Sequence, residues 1–167
     1  MSYQHVVRPL ERNDLSQLVE LCEEHAHYER SPWVQRERQA GLTSLFFGEQ
    51  RAHCWVINGT NELAGFASAA LQLSTWDAGH YLYLDCLFLR EAYRGRGLGV
   101  QLMSQVIQAA ETLGALHLQW QTPSWNESAL RFYQRLGAHS VDKKRFTLAL
   151  PNAGDLQTVS ACGEPAQ

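Results

Sequence analysis

Three glycines within five residues join a strand-like segment to a helix-like one. The run from Tyr93 to Gly99 follows the apolar segment His80–Leu89 and leads into an amphipathic stretch, Leu98–Leu113. Glycine lets the backbone turn tightly and approach a ligand closely. The free N–H groups at the start of a helix favour an anion, and Arg94 and Arg96 add positive charge. The run therefore predicts a strand–turn–helix unit that binds a phosphate group.

Two better-known phosphate loops do not match this run. A Walker A loop requires Gly-Lys followed by Ser or Thr, and no such triplet occurs in the sequence. The dinucleotide fingerprint requires G-x-G-x-x-G, whereas the spacing here is G-x-G-x-G. For the run taken alone, a glycine-rich turn without a ligand is the alternative interpretation.

The remaining periodicities predict strands and helices around one twisted sheet. Further strand-like segments are Gln4–Arg8, His53–Asn58, Glu62–Leu73, Leu116–Gln121 and Ser140–Leu150. Further helix-like segments run from an N-cap at Asn13 or Asp14 to about His27, from Arg36 to Phe47 and from Glu127 to Leu136. This order predicts one mixed α/β domain over residues 1–151, followed by a tail, 152–167, that carries little apolar material.

Composition excludes several classes of protein. Of the 167 residues, 45% are hydrophobic and 19% are charged, which suits one globular domain. The formal net charge of -3 gives no basis for nucleic-acid binding. No segment has the pattern of a membrane span or a signal peptide. The cysteines Cys22, Cys54, Cys86 and Cys162 have no zinc-like spacing, which favours free thiols, no metal and a cytoplasmic location.

Two separate motifs resemble those of the GNAT superfamily of N-acetyltransferases. Arg94-x-x-Gly97-x-Gly99 resembles the signature that binds the diphosphate of acetyl-CoA in that family, and Tyr81–Leu89 looks like its fourth strand. The segment Trp125–Ala138 looks like its second conserved block. The resemblance implies a twisted, mostly antiparallel sheet of six or seven strands, about four helices, and a parallel fourth and fifth strand that splay apart. It also implies a β-bulge in the fourth strand.

The resemblance assigns a set of residues to acetyl-CoA, the expected co-substrate. They are Leu87, Phe88, Leu89, Arg94, Gly95, Arg96, Gly97, Leu98, Gly99, Asn126, Ser128 and Tyr133. It further implies that Tyr133 protonates the departing thiolate. A phenol suits that role because it still carries its proton at neutral pH. From helical spacing alone, Tyr133 is better explained as a core residue beside Phe132; the context from Asn126 to Gly137 favours the functional role.

Within the superfamily, the sequence most resembles the diamine (spermidine/spermine) and thialysine acetyltransferases. That likeness places Tyr28, Glu29, Trp76 and Asp85 at the amine acceptor, with Asp85 as a second catalytic candidate. Asp85 alternates with Tyr81, Tyr83 and Leu87 in an apolar strand, where an unpaired carboxylate is costly. The alternative is a carboxylate paired with an arginine or with backbone donors.

Two departures from that pattern weaken the assignment to polyamines. Cys86 stands where the family has a second acid, and the loop Ser74–Gly79 is shorter than the family's. His25, His27 and His80 receive no role, because a lone histidine is more often a surface or packing residue.

The expected activity is transfer of an acetyl group to a small cationic amine by direct attack. No acyl-cysteine is expected, because strand alternation turns Cys86 away from Asp85 and toward the core. The resemblance suggests a homodimer. Two alternatives stay open: acetylation of a protein or peptide amine, and a non-catalytic sensor that binds acyl-CoA.

Overall fold

The computed structural model describes residues 5–34, 36–49, 52–148 and 150. The chain divides into two compact units, Met1–Trp125 and Asn126–Gln167. The strands are β1 (Val7–Pro9), β2 (His53–Asn58), β3 (Leu63–Ser74), β4 (Gly79–Leu89) and β5 (Leu118–Gln119). The α-helices are α1 (Leu15–Tyr28), α2 (Gln39–Phe47), α3 (Leu98–Thr112) and α4 (Glu127–Arg135).

The five strands form one mixed sheet in the order β1-β2-β3-β4-β5. The first three pairings are antiparallel, and β4 pairs with β5 in parallel. A tight turn at Asn58-Gly59, a residue pair typical of β-hairpins, joins β2 to β3, and the Gly59 amide donates to the Glu62 carbonyl. The mixed α/β class and the parallel β4–β5 pairing are confirmed.

The expected sixth strand, Ser140–Leu150, is absent from the described part of that segment. Residues 140–148 and 150 belong to no strand, and Val141, Phe146 and Leu148 are exposed. Alternating apolar residues predict which way side chains point in a strand. The strand itself forms only where a neighbour completes its hydrogen bonds, and no described strand does so here. The tail, 152–167, lies outside the described residues.

The core on one face of the sheet is built by α1. Its buried residues Leu15, Leu18 and Leu21 recur at helical spacing and pack in one apolar cluster, here called the α1 cluster, with strand residues such as Phe66 and Phe88. Phe66 and Phe88 are direct partners in the β3–β4 ladder, so they share a face. Full burial of each leucine contributes about 1.5–3 kcal/mol.

The other face of the sheet is covered by α3, which contacts β1, β2, β3 and β4. Its buried side chains Leu102, Met103 and Val106 lie outside the α1 cluster. Strand residues such as Ala67 alternate away from α1 and are also fully buried. Among the described residues, no helix is long and apolar enough to cross a membrane.

A charged cluster fixes the end of β4 against α1. Arg90 directly follows β4, and its Nε and Nη2 donate to the Glu24 carboxylate at 2.8–3.0 Å. Its Nη1 donates to Glu62 and to the carbonyl of Leu63. Because the arginine side chain is only 14% exposed, these partners hold it in one position. The chain therefore leaves β4 along a fixed path toward Tyr93.

Candidate active site

A β-bulge interrupts β4 in the middle of its pairing with β3. Ser68 pairs with Cys86 and the next residue, Ala69, pairs with Leu84, so Asp85 has no partner across the ladder. This extra residue is the bulge that the family resemblance led us to expect in the fourth strand.

The bulge also shifts the alternation of side chains along β4. Tyr83 pairs with Ala70, whereas Leu87 pairs with Ala67. Ala70 and Ala67 lie three residues apart and therefore point to opposite faces of the sheet. The expectation that Asp85 shares one alternating row with Tyr83 and Leu87 is consequently wrong, because it assumed a regular strand.

Beyond the bulge, β4 continues without β5. The two strands pair only at Leu82–Leu118 and Tyr83–Gln119, while β4 runs on to Leu89. The predicted Leu116–Gln121 strand is thus shortened to two residues. Residues 84–89 have no partner on this side among the described strands. An extended ligand can add to such an open edge by hydrogen bonding to the backbone, which fits the amide-bearing arm of acetyl-CoA.

The glycine turn opens α3 in the geometry that an anion site requires. Gly95 and Gly97 have φ angles of 72° and 77°, in the left-handed region, and Gly97 is the N-cap of α3. A Cβ on either glycine would meet no atom within 4 Å. Within the described residues, no backbone hydrogen bond engages the amides of Gly95, Arg96 or Gly97. Free amides, open space and the positive end of a helix fit a diphosphate.

The two arginines of this turn differ in their surroundings. Arg96 is exposed. Arg94 folds back, and its Nε donates to the Leu89 carbonyl at 2.8 Å. Its guanidinium carbon lies 4.5 Å from the centroid of the Tyr28 ring and 5.7 Å from that of Phe88. Arg94 therefore connects the end of α1 to the open edge of β4, a contact that is not apparent in the sequence.

Several residues expected at the acceptor gather where the end of α1 meets the second half of β4. We call this group the α1–β4 cluster; its members are His25, Tyr28, Glu29, Asp85 and Phe88. The Tyr28 ring lies 6.2 Å from Phe88 and 6.2 Å from Trp125. The cluster therefore combines two carboxylates with aromatic surface, a combination suited to binding a cation.

His25 is the member of the cluster that sequence reasoning left unassigned. Its Nε2 lies 3.3 Å from Oε1 of Glu29, and its ring stacks on Phe88 at 5.2 Å with an interplanar angle of 24°. Burial lowers the pKa of His25 below its ordinary value, while the nearby charges of Glu29 and Asp85 oppose that shift. The sequence did contain a signal for this pairing, because residues four apart on a helix, such as His25 and Glu29, lie next to each other.

Asp85 is exposed, so solvent rather than a buried partner hydrates its carboxylate. The expected cost of an unpaired carboxylate assumed that Asp85 is buried. Because the side chain is exposed, that cost does not arise and does not support a functional role for Asp85. Cys86 packs against the α1 cluster of the core, as expected, yet its Sγ also lies 3.6 Å from Oδ2 of Asp85 across the bulge. Burial raises the pKa of the Cys86 thiol, which disfavours the reactive thiolate.

Trp76 does not join the cluster. It lies in the turn between β3 and β4 and is 96% exposed. This turn is at the opposite end of β4 from Phe88. The described contacts place Trp76 beside none of the other expected acceptor residues.

The second unit contains α4, which begins at a well-defined cap. Asn126 is buried, and its Oδ1 accepts from the Ala129 amide at 3.2 Å and from the Ser128 hydroxyl at 3.0 Å. Capping of α4 thus accounts for Asn126 without any ligand. Tyr133 lies on the same helix, with its ring 5.1 Å from that of Phe132.

Comparison with known proteins gives a consistent result. Residues 13–138 match the model of the acetyltransferase (GNAT) family. A thialysine N-epsilon-acetyltransferase from Bos taurus is 26% identical over 145 residues, covering 81% of this chain and 85% of that protein. A D-amino-acid N-acetyltransferase from Saccharomyces cerevisiae is 25% identical over 142 residues, covering 83% of this chain and 86% of that protein.

Solved structures share the fold. A possible acetyltransferase from Clostridium difficile 630 superimposes with a TM-score of 0.73 at 14% identity, covering 89% of this chain and 99% of that one.

Proposed function

Because this chain belongs to the acetyltransferase (GNAT) family, we propose that it transfers the acetyl group of acetyl-CoA to a primary amine of a small cationic molecule. The observation that carries the proposal is the left-handed turn at Gly95 and Gly97, whose amides are free, beside the open edge of β4. Neither feature is needed to build the sheet. Together they match the two ends of one ligand, a diphosphate and an amide-bearing arm.

The residues proposed to hold acetyl-CoA follow from this fit. The backbone of Leu87, Phe88 and Leu89 lines the open edge, and the turn from Arg94 to Gly99 faces the diphosphate. Arg96, which is exposed, supplies charge to the phosphates. The bound co-substrate supplies an activated acetyl thioester. Asn126 and Ser128 support α4 through its N-cap, and Tyr133 is carried by the same helix.

The α1–β4 cluster is the proposed acceptor site. Glu29 and Asp85 attract an ammonium group by their negative charge. The two relatives described above act, by their names, on thialysine and on D-amino acids, both of which carry an amine. An alkylamine with a pKa near 10.4 is neutral in only about one molecule in a few thousand at pH 7, so a proton acceptor is needed.

Catalysis is proposed to proceed by direct attack of the neutral amine on the thioester carbonyl. Positioning both substrates in one cleft supplies up to about 7–11 kcal/mol of the barrier reduction. The backbone amide near Leu87 stabilises the developing oxyanion. Tyr133 donates its proton to the departing thiolate, a contribution of about 10²–10⁴-fold.

A thiol-release assay tests the activity. The protein is incubated with acetyl-CoA and, in parallel, with polyamines, single amino acids and lysine-containing peptides. Release of thiol with a free diamine or amino acid supports the proposal. Release with peptides alone favours the alternative of protein acetylation. Tight binding of acetyl-CoA without turnover on any amine leaves the non-catalytic sensor.

The role of Tyr133 is tested by Tyr133→Phe, which removes only the hydroxyl group. Turnover is expected to fall about 10²-fold or more, while the Kd for acetyl-CoA stays near that of the wild type. Tyr81→Phe is the matched control, because its hydroxyl donates to Gln72 on the exposed surface of the sheet. Equal turnover in the two variants would remove the general-acid role from Tyr133.

The absence of a covalent intermediate is tested by Cys86→Ala. A folded Cys86→Ala protein is expected to retain turnover, because its thiol is buried and protonated. Loss of turnover in a well-folded variant would instead indicate an acyl-cysteine route.

A further inference from the structure

His25 belongs to the proposed acceptor site and lies beside the open edge of β4. Its ring stacks on Phe88, a residue of that edge, and its Nε2 contacts Glu29 at 3.3 Å. The side chain is 14% exposed, so part of the ring is reachable from solvent. We propose that His25, oriented by Glu29, is the general base that removes the proton from the acceptor's ammonium group. This inference rests on the proposed acetyltransferase function and assigns the base within it.

The contact with Glu29 determines which ring nitrogen can act. A carboxylate accepts a hydrogen bond, so it favours the tautomer that carries the hydrogen on Nε2. The lone pair is then on Nδ1. A carboxylate that holds an imidazole in this manner also stabilises the imidazolium formed when the ring takes a proton.

Three charged groups act on His25. Glu29 follows α1, Asp85 lies on β4, and Arg94 lies in the turn after β4. Burial of the ring lowers the pKa of His25, Glu29 and Asp85 act to raise it, and Arg94 acts to lower it. The net direction is downward, so the imidazole is neutral at pH 7 and ready to accept a proton. Asp85, being exposed, is left to attract the cation.

The proton balance of the reaction is complete with these groups. Neutral His25 takes one proton from R–NH3⁺, which leaves R–NH2 and an imidazolium. The nitrogen lone pair forms the new C–N bond with the acetyl carbon, and the C–S bond breaks. The sulfur leaves with that bond's electron pair and takes a proton from Tyr133, and the second proton of the nitrogen restores the Tyr133 hydroxyl. The imidazolium then releases the Nδ1 proton to solvent, which restores the neutral ring with its Nε2 hydrogen on Glu29.

The pH dependence of kcat/KM distinguishes a base from a structural residue. With a base, the wild-type profile rises to a plateau that begins near or below pH 6.5 and extends toward the pKa of the amine. In His25→Gln, turnover depends on amine that is already neutral. Its kcat/KM is therefore expected to be about 10²-fold lower at pH 7 and to rise tenfold per pH unit through pH 7–9. A uniform loss with the wild-type plateau retained would overturn the proposal.

His27→Gln is the matched control, since His27 lies on the same helix two residues away and is exposed. It is expected to keep the wild-type rate and profile. A second readout uses an amine whose own pKa lies below 7. His25→Gln is expected to acetylate this amine at close to the wild-type rate, and an equal loss on both amines would count against a base.

Glu29→Gln provides a test that does not remove the imidazole. Glu29 raises the pKa of His25. Removing the charge of Glu29 is therefore expected to lower the pKa of His25 and to move the acidic limb of the kcat/KM profile to lower pH. An unmoved limb would contradict the His25–Glu29 pairing. If the wild-type protein releases no thiol with any amine, the proposed function itself fails. If it does so and His25→Gln keeps the plateau, only this inference fails.

Discussion

Replacement of Gly97 by alanine separates the strain of the turn from its proposed role in binding. Gly97 has φ 77° and ψ 0°, a left-handed conformation. An added Cβ would meet no protein atom within 4 Å, so no clash contributes. The loss of stability then comes from the backbone alone and is about 1–2 kcal/mol. For a chain of this length, each kcal/mol corresponds to a fall in Tm of about 2–4 °C.

Gly114 offers a matched control at the other end of α3. It has φ 67°, and a Cβ there would also meet nothing within 4 Å. Since α3 has 15 residues, the two ends lie about 22 Å apart at the rise of an α-helix. Gly114→Ala is therefore expected to lose the same stability as Gly97→Ala without touching the proposed diphosphate site.

The two variants should differ in coenzyme affinity. The new methyl group at position 97 occupies the open space in front of the free amides, where the diphosphate would approach. We expect the Kd for coenzyme A to rise at least tenfold, or about 1.4 kcal/mol, in Gly97→Ala and to stay unchanged in Gly114→Ala. Calorimetric titration gives the affinities, and urea denaturation gives the stabilities. If both variants bind coenzyme A equally well, the turn does not hold the diphosphate.

Three further substitutions test the stability of the fold. A hydrogen bond from Arg8 lowers the pKa of Asp14 in the folded protein. The ionised Asp14 therefore stabilises the fold at pH values above its pKa in the unfolded chain, and this stabilisation is lost as the pH falls through its pKa in the folded protein. Asp14→Asn should therefore be about 1–3 kcal/mol less stable at pH 7, a gap that closes below pH 3.8 in urea denaturation curves; a gap that persists at pH 2 would contradict the assignment. Asn126→Ala removes the α4 cap bond to the Ala129 amide and should cost about 1 kcal/mol, measured in the same way. Leu21→Ala, at a fully buried site, should cost about 2–5 kcal/mol, and a loss below 1 kcal/mol would mean that α1 is not packed as described.

Helices with strong periodicity could be predicted from the sequence almost to the residue. The predicted Leu98–Leu113 corresponds to α3, Leu98–Thr112, because its apolar stripe and terminal glycines are local signals. The predicted His53–Asn58 strand coincides with β2. Such elements depend on residues that are close in the chain, so a single sequence suffices.

Features that depend on distant partners were not predictable in the same way. The bulge at Asp85 is defined by the register with β3, which the alternation of β4 does not reveal. The segment from Ser140 has a strand-like pattern but pairs with no described strand. Arg94 could be recognised as part of a phosphate signature, whereas its stacking on Tyr28 requires α1 and the turn to meet in space. The family resemblance predicted the region of the candidate site, and the contacts of His25 became apparent only in the tertiary structure.

The environment of the cysteines affects how the enzyme can be assayed. Of the thiols in the described residues, Cys54 is buried and both Cys22 and Cys86 are largely shielded. Burial raises the pKa of Cys22 to about 11 and shifts that of the other two in the same direction. Chromogenic disulfide reagents react with thiolates, so these three cysteines should react slowly with them at pH 7–8. A fast absorbance change would then report the thiol of released coenzyme A rather than these three cysteines of the enzyme.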